Sequence, residues 1–167
     1  MKSNLLPEFS VNKENNSIHL AREFNASLEL VWKAWTTSEL LDKWWGPKPY
    51  HVETKTLDFT EGGHWLYAMV SPQGEKHWSL DTYKTIEPLK RIVNISSFSD
   101  EEGNPNDVIP QMHWDKGFTG AGDTTTVNIQ LVFKEAEGLE TLLKMGFKEG
   151  FTMGMENLDE VLSGQEI

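Results

Sequence analysis

The feature that most restricts the fold of this chain is the series of turn signals between Thr60 and Asp123. Thr60-Glu61-Gly62-Gly63, Ser71-Pro72-Gln73-Gly74, the Pro88 connection between Glu87 and Lys90, and Gly120-Ala121-Gly122-Asp123 punctuate short alternating segments. Gly reaches positive φ without steric cost and Pro presets φ, so each cluster reverses the chain. Strands joined this tightly are antiparallel, because a parallel pair needs a crossover of about a dozen residues or more. The pattern predicts strands over 17–24, 52–59, 64–70, 75–87, 91–98, 111–119 and 124–134. After Glu137 the apolar period lengthens: Leu139, Leu143, Phe147, Phe151, Met155, Leu158 and Leu162 mark one long amphipathic helix to about Leu162. Such a helix must bury its stripe against the sheet.

Between the first two strands lies LELVWKAWTTSELLDKWWGP, residues 28–47. Leu28, Val31, Trp32 and Trp35 share one helical face, and Ser27 is a suitable N-cap. Thr36 to Glu39 has capping-box spacing for a second short helix bearing Leu40, Leu41, Trp44 and Trp45. Gly46-Pro47 stops it. The tryptophans are read as core.

At 167 residues, 38% of them hydrophobic, the chain is expected to form one domain over 17–163. A flexible polar segment over 1–16 precedes it and a short tail over 164–167 follows. The net charge of −11 disfavours nucleic acid and anionic membrane surfaces as partners. The absence of Cys removes disulfides, thiolate nucleophiles and Cys-ligated metals. Met1–Pro7 lacks the apolar run of a signal peptide, and no run approaches a membrane span, so a cytoplasmic location is expected.

REFNAS at 22–27, VWKAWTTSELLDKWWGP at 31–47, LDFTEGGHWLYAMV at 57–70 and MGFKEGFTMGMENLDEVL at 145–162 resemble the SRPBCC (START-like) superfamily. The branch they resemble is the one named after the C-terminal domain of the activator of the 90-kDa heat-shock chaperone ATPase. The resemblance runs from about residue 17 to 163. It implies an α+β helix-grip fold: a seven-stranded curved antiparallel sheet wrapped around a long C-terminal helix, two short helices after the first strand, and a cavity between sheet and helix. The superfamily includes lipid carriers, polyketide cyclases, hormone receptors and co-chaperone domains. The branch supplies no catalytic signature that transfers to residues of this chain.

Hairpin arithmetic assigns the sheet faces. If Val70 pairs with Glu75, Tyr67 faces Trp78 and Trp65 faces Leu80, and directly opposed residues share a face. Pairing Ile86 with Arg91 sets Thr82 against Ile95; pairing Thr119 with Thr124 sets Trp114 against Ile129. The inner face then carries Trp65, Tyr67, Met69, Trp78, Leu80, Thr82, Val93, Ile95, Met112, Trp114, Lys116 and Phe118. The outer face carries His64, His77, Asp81 and His113. In the strand over 52–59, Thr54, Thr56 and Asp58 are expected inward and Leu57 and Phe59 outward.

The residues expected to line a ligand site are Trp65, Tyr67, Trp78, Leu80, Trp114, Lys116, Phe151 and Met155. Lys116 is either a snorkelling side chain at the sheet rim or an anchor for an acidic headgroup. No metal site is expected: His64 and His77 fall roughly 13 Å apart along the hairpin, against ~2 Å from each ligand to a shared zinc. No cofactor and no catalytic residue is nominated. Gly146, Gly150 and Gly154 form a stripe in the last helix, serving either close packing or ligand volume. The segment 99–110 is either a lid or a solvated loop. The function expected is binding of a small apolar or aromatic molecule. The alternatives are a chaperone-associated interaction domain and a cyclase-type enzyme using Asp58, Tyr67 or Lys116. Nothing in the sequence specifies an oligomeric state.

Overall fold

The computed structural model describes residues 8–106 and 111–164. Its elements are β1 (Glu8–Asn12), β2 (Ser17–Phe24), α1 (Leu28–Thr36), α2 (Ser38–Trp44), β3 (His51–Leu57), β4 (His64–Val70), β5 (Lys76–Glu87), β6 (Arg91–Ser99), β7 (Met112–Ala121), β8 (Thr124–Phe133), α3 (Ala136–Lys144) and α4 (Phe147–Gly164). One antiparallel sheet runs in the order β1-β2-β8-β7-β6-β5-β4-β3. The helices cover one face and enclose the core with it. This is the α+β helix-grip architecture, with eight strands instead of seven.

The eighth strand corrects the expected flexible lead-in over 1–16 from Glu8 onward. Glu8–Asn12 pairs with Ser17–Ala21, reversing through a turn in which Asn12 Oδ1 accepts from Glu14 N and Asn16 takes positive φ. β1 is an edge strand, mostly exposed, so it carries little apolar alternation to read. Residues 1–7, the tail residues 165–167 and positions 107–110 of the 99–110 segment lie outside the described residues.

Ser27 caps α1, its hydroxyl accepting from Leu30 N at 3.3 Å. The second cap differs from expectation. Thr36 and Thr37 turn their hydroxyls back onto the α1 carbonyls of Trp32 and Lys33, so no side chain caps α2. The tight α1–α2 bend is held instead by Trp44, whose Nε1 donates to Ala34 O at 2.9 Å. The far end of α2 is closed by α4: Asn157 Nδ2 donates to Gly46 O at 3.0 Å.

The single long C-terminal helix is likewise corrected. It is two helices, broken at Gly146, which holds φ at +89°. The left-handed residue ends α3 and re-aims the chain into α4. Gly146→Ala is therefore expected to cost about 1–2 kcal/mol, measured by urea unfolding, despite alanine's better helix propensity. The three glycines thus do three jobs. Gly146 breaks the helix. Gly154 is buried where α4 meets α2, and a Cβ there would be in ordinary contact with Trp44 O at 3.6 Å. At Gly150 a Cβ would meet only Pro47 Cγ, at 3.7 Å.

Two β-bulges and one long turn set the faces. Val70 pairs with Lys76, not Glu75, because Ser71–Glu75 forms a five-residue reversal in which Ser71 Oγ accepts from Gln73 N and Glu75 N. Every residue of β5 before the bulge therefore faces opposite to expectation. Asp81 and Ser79 point inward; Trp78, Leu80 and Thr82 point outward. A bulge between Tyr83 and Thr85 leaves the Thr82–Ile95 pair as expected but on the convex face, so Val93 and Ile95 face outward and Asn94 and Ser96 inward. The β7–β8 pairing slips by two, setting Trp114 against Leu131 and preserving the faces. A bulge between Thr54 and Thr56 turns Leu57 inward beside Trp65. Thr54 points inward, accepting from Trp65 Nε1 at 3.0 Å and donating to Asp42 Oδ1 at 2.6 Å.

Candidate functional site

A recess of about 240 Å³ opens between the concave sheet face and the helices. Its floor comes from four adjacent strands: Tyr67 and Met69 of β4, Ser79 and Asp81 of β5, Ser96 and Phe98 of β6, and Met112 and Trp114 of β7. Its walls are Trp45 and Pro47 after α2, and Leu142, Met145, Gly146, Phe147, Gly150 and Phe151 around the α3–α4 joint. The helix break at Gly146 thus forms part of the rim.

Trp45 is the hub of the wall. Neighbouring residues on a helix point about 100° apart, so Trp44 and Trp45 meet the core from different directions. Trp44 is wholly buried, whereas Trp45, at the α2 C-cap, turns to the recess. Its ring lies 5.3–6.1 Å from those of Trp35, Trp44, Trp65, Trp114 and Phe151. Its Nε1 donates to Tyr67 Oη at 3.0 Å, and Trp65 stacks on Tyr67 at 4.0 Å. Phe147 and Phe151, stacked at 5.3 Å, complete the aromatic surface.

Beneath this surface lies a buried polar cluster. Asp81 is 3% exposed; its Oδ2 accepts from Asn94 Nδ2 at 3.4 Å. Asp81 Oδ1 and Asn94 Oδ1 have no hydrogen-bond partner among the described residues. Burial pushes the Asp81 carboxyl up to about 6, against the pull of the Lys116 charge. Burial also pushes the Lys116 ammonium down to about 8, with the Asp81 charge opposing it. Lys116 Nζ sits 5.5, 5.7 and 5.2 Å from the ring centroids of Trp35, Trp45 and Trp114, a cage whose π-faces stabilise a desolvated cation. Burial, reinforced by the nearby carboxylate, raises both the Tyr67 and Tyr83 phenols, which therefore stay protonated at neutral pH. Trp114 Nε1 donates to Ser96 Oγ at 2.8 Å.

Of the residues expected to line a site, Tyr67, Trp114 and Phe151 converge on this recess. Trp65 lies behind Tyr67 in the core. Lys116 is neither at the rim nor snorkelling; it is 5% exposed, within the indole cage. Met155 lies a turn further along α4 and lines a neighbouring recess with Phe9, Leu20 and Arg22. Trp78 and Leu80 do not belong to the site. Trp78 lies on the convex face under the ammonium groups of Lys55 and Lys76, and Leu80 pairs there with Leu66. Trp78 is accordingly only half-buried, while Trp65 and Trp114 are buried and His64, His77 and His113 exposed. Asp58 is exposed as well.

The described part of the 99–110 segment does not cover the recess. It forms a turn closed by Asp100, whose carboxylate accepts from Glu102 N and Asn104 N, and Gly103 approaches Leu66 and Leu80 on the convex face. Reading residues singly missed Asp81, Ser79, Ser96, Asn94 and Trp45. The available signals were the turn Ser71–Glu75 before β5 and the adjacent Trp44-Trp45 pair.

A sheet gripping C-terminal helices, with a recess between them, defines a member of the SRPBCC (START-like) class. Residues 25–163 match the model of the family described as Activator of Hsp90 ATPase homolog 1-like protein, and the chain belongs to that family. A solution structure of a protein from Arthrobacter aurescens is 29% identical with a TM-score of 0.88, covering 94% of this chain and 91% of that one. A crystal structure of a Mycobacterium smegmatis protein, 24% identical, has a TM-score of 0.86 and covers 96% and 98% of the two chains. A crystal structure titled as an AHSA1 protein from Silicibacter pomeroyi is 20% identical with a TM-score of 0.70, covering 90% and 99%. The last two likenesses concern the fold alone. No curated protein matches the chain. Among the described residues, no helix is long and apolar enough to cross a membrane.

Proposed function

We propose that this protein binds a small apolar or aromatic molecule in the recess between the sheet and the α3–α4 joint. The observation that supports this is the aromatic wall itself: Trp45, Tyr67, Trp114, Phe147 and Phe151 converge from three elements and a helix cap on one concave space. Concave, mostly apolar surfaces with a few polar groups are the usual form of ligand sites, at ~300–1,000 Å³. At about 240 Å³ the recess suits a compact molecule better than a long-chain lipid. A chaperone-associated role would draw on the family description, and the exposed large apolar side chains offer it little. Val11, Tyr50, Met145 and Met153 lie on β1, the α2–β3 connection, the α3–α4 joint and α4 respectively.

The glycines provide the test. Gly150→Leu places a side chain into the recess and improves helix propensity by about 1 kcal/mol. It is expected to abolish binding of an environment-sensitive apolar dye while the protein stays folded. Gly154→Leu drives a side chain toward Trp44 O and is expected to cost about 1–3 kcal/mol by overpacking. Titration of the dye, with thermal melts of each variant, reads both. Dye binding that survives Gly150→Leu unchanged, or a wild-type protein that binds no small molecule, would reject the proposal.

A further inference from the structure

We infer that the molecule held in this recess carries a neutral hydrogen-bond donor, a hydroxyl on an aromatic or alicyclic frame, and docks it on the carboxylate of Asp81. The inference rests on the proposed binding role and specifies its ligand class.

The polar floor is short of donors. Asp81 Oδ1 and Asn94 Oδ1 are buried acceptors with no donor from the described residues. A buried acceptor left unpaired costs free energy, and native structures leave few of them. Among the described residues, the only donor that reaches the Asp81 carboxylate is Asn94 Nδ2, on Oδ2, at a long 3.4 Å. The Tyr67 hydroxyl, whose oxygen accepts from Trp45 Nε1, makes no hydrogen bond to Asp81 Oδ1. Asp81 itself is among the residues that line the recess.

Charge balance separates a neutral donor from a cationic one. Asp81 and Lys116 are the titrating charges of this floor, and each acts on the other electrostatically. Tyr67 on β4 and Tyr83 on β5 face them as neutral phenols. A hydroxyl leaves the floor neutral. An ammonium ion would bring a second buried cation beside Lys116, whose charge already lies 5.7 and 5.2 Å from two of the wall's indoles. A carboxylic acid would set like charge against Asp81.

Three probes of one shape test this: 2-naphthol, 2-methylnaphthalene and (2-naphthyl)methylammonium, titrated into the wild-type protein and followed by tryptophan quenching. A hydrogen bond to a charged acceptor is expected to favour 2-naphthol over 2-methylnaphthalene by about tenfold or more. The ammonium probe is expected to bind no better than the methyl probe. Asp81→Leu should abolish the naphthol preference while leaving methylnaphthalene binding in place. Should Asp81→Leu not fold, Asp81→Asn is the second variant. A neutral acceptor is roughly half as strong, so the preference should shrink to about threefold. Equal binding of the hydroxyl and methyl probes, or a preference that survives both substitutions, overturns the Asp81 inference while leaving the apolar binding role standing. Tighter binding of the ammonium probe overturns the neutral-donor class. Failure of all three probes to bind rejects the binding role and the inference with it.

Discussion

Asp159→Ala is expected to destabilise the protein by about 3–5 kcal/mol, the usual result of stripping one partner from a buried ion pair. Arg22 lies on the concave face of β2, and its guanidinium bridges the sheet to α4. One nitrogen donates to Asp159 Oδ2 at 2.7 Å, another to Met155 O at 2.9 Å. The two side chains are 8% and 9% exposed, so solvent screens the pair little. Removing the carboxylate takes the charged partner at 2.7 Å from a desolvated cation that also donates to Met155 O and lies 5.2 Å from the ring of Phe24. For a chain of this size each kcal/mol lowers the melting temperature by roughly 2–4 °C, so a fall on the order of 10 °C is expected. Replacing both partners, Arg22→Met with Asp159→Leu, should restore much of the loss, because the desolvation of both charges is removed together. A single variant melting within a degree or two of wild type would show that the helix is fastened by packing alone.

Asp81→Asn is expected to act in the opposite direction and stabilise the protein at neutral pH. The carboxyl titrates at about 6 in the folded chain against an ordinary value of 3.8. Because the folded value is the higher one, Asp81 contributes stability when protonated. That contribution is complete below about pH 4 and is lost as pH rises through 6. Above pH 6 the native state carries an ionised carboxylate that burial disfavours by more than Lys116 returns. At about 1.4 kcal/mol for each pH unit between the two values, the neutral amide should gain about 1–3 kcal/mol at pH 7. The gain should fade as the wild-type carboxyl takes up its proton toward pH 4. Urea unfolding of both proteins at pH 4, 5, 6 and 7 measures it. A difference that does not vary with pH would place the titration elsewhere.

The same residue shows where sequence reasoning stops. The hairpin logic for β4 and β5 is sound, but it depends on counting the turn residues. Ser71 holds one more residue in the reversal than Ser-Pro-Gln-Gly suggests, and one residue inverts a strand. Trp78 and Leu80, which look like lining, become outer-face residues, while Asp81 and Ser79, which look like solvent groups, become the floor. β7 and β8 escape this fate because their register slips by two, which restores every side chain to its expected face. Strand order, the helix pair and the placement of the C-terminal helices on the sheet were legible from turn spacing and periodicity. Gly146 was legible only as an unfavourable residue within a helix, since periodicity passes through it. The polar floor was not legible, because in sequence a buried Asp or Ser is identical to an exposed one.

The row of indoles has an optical consequence. Trp44, Trp35, Trp65 and Trp114 each lie within 6.1 Å of Trp45, far closer than the range over which excited indoles exchange energy through their transition dipoles. Light absorbed by any of the five migrates among them and samples Trp45, whose ring faces the recess. Lys116 lies against three of the five as a built-in positive charge that shifts their excited states, and its titration near pH 8 should appear as a change in emission. The emission of these five rings therefore reports collectively on one place, and a single occupant of the recess is positioned to quench all five.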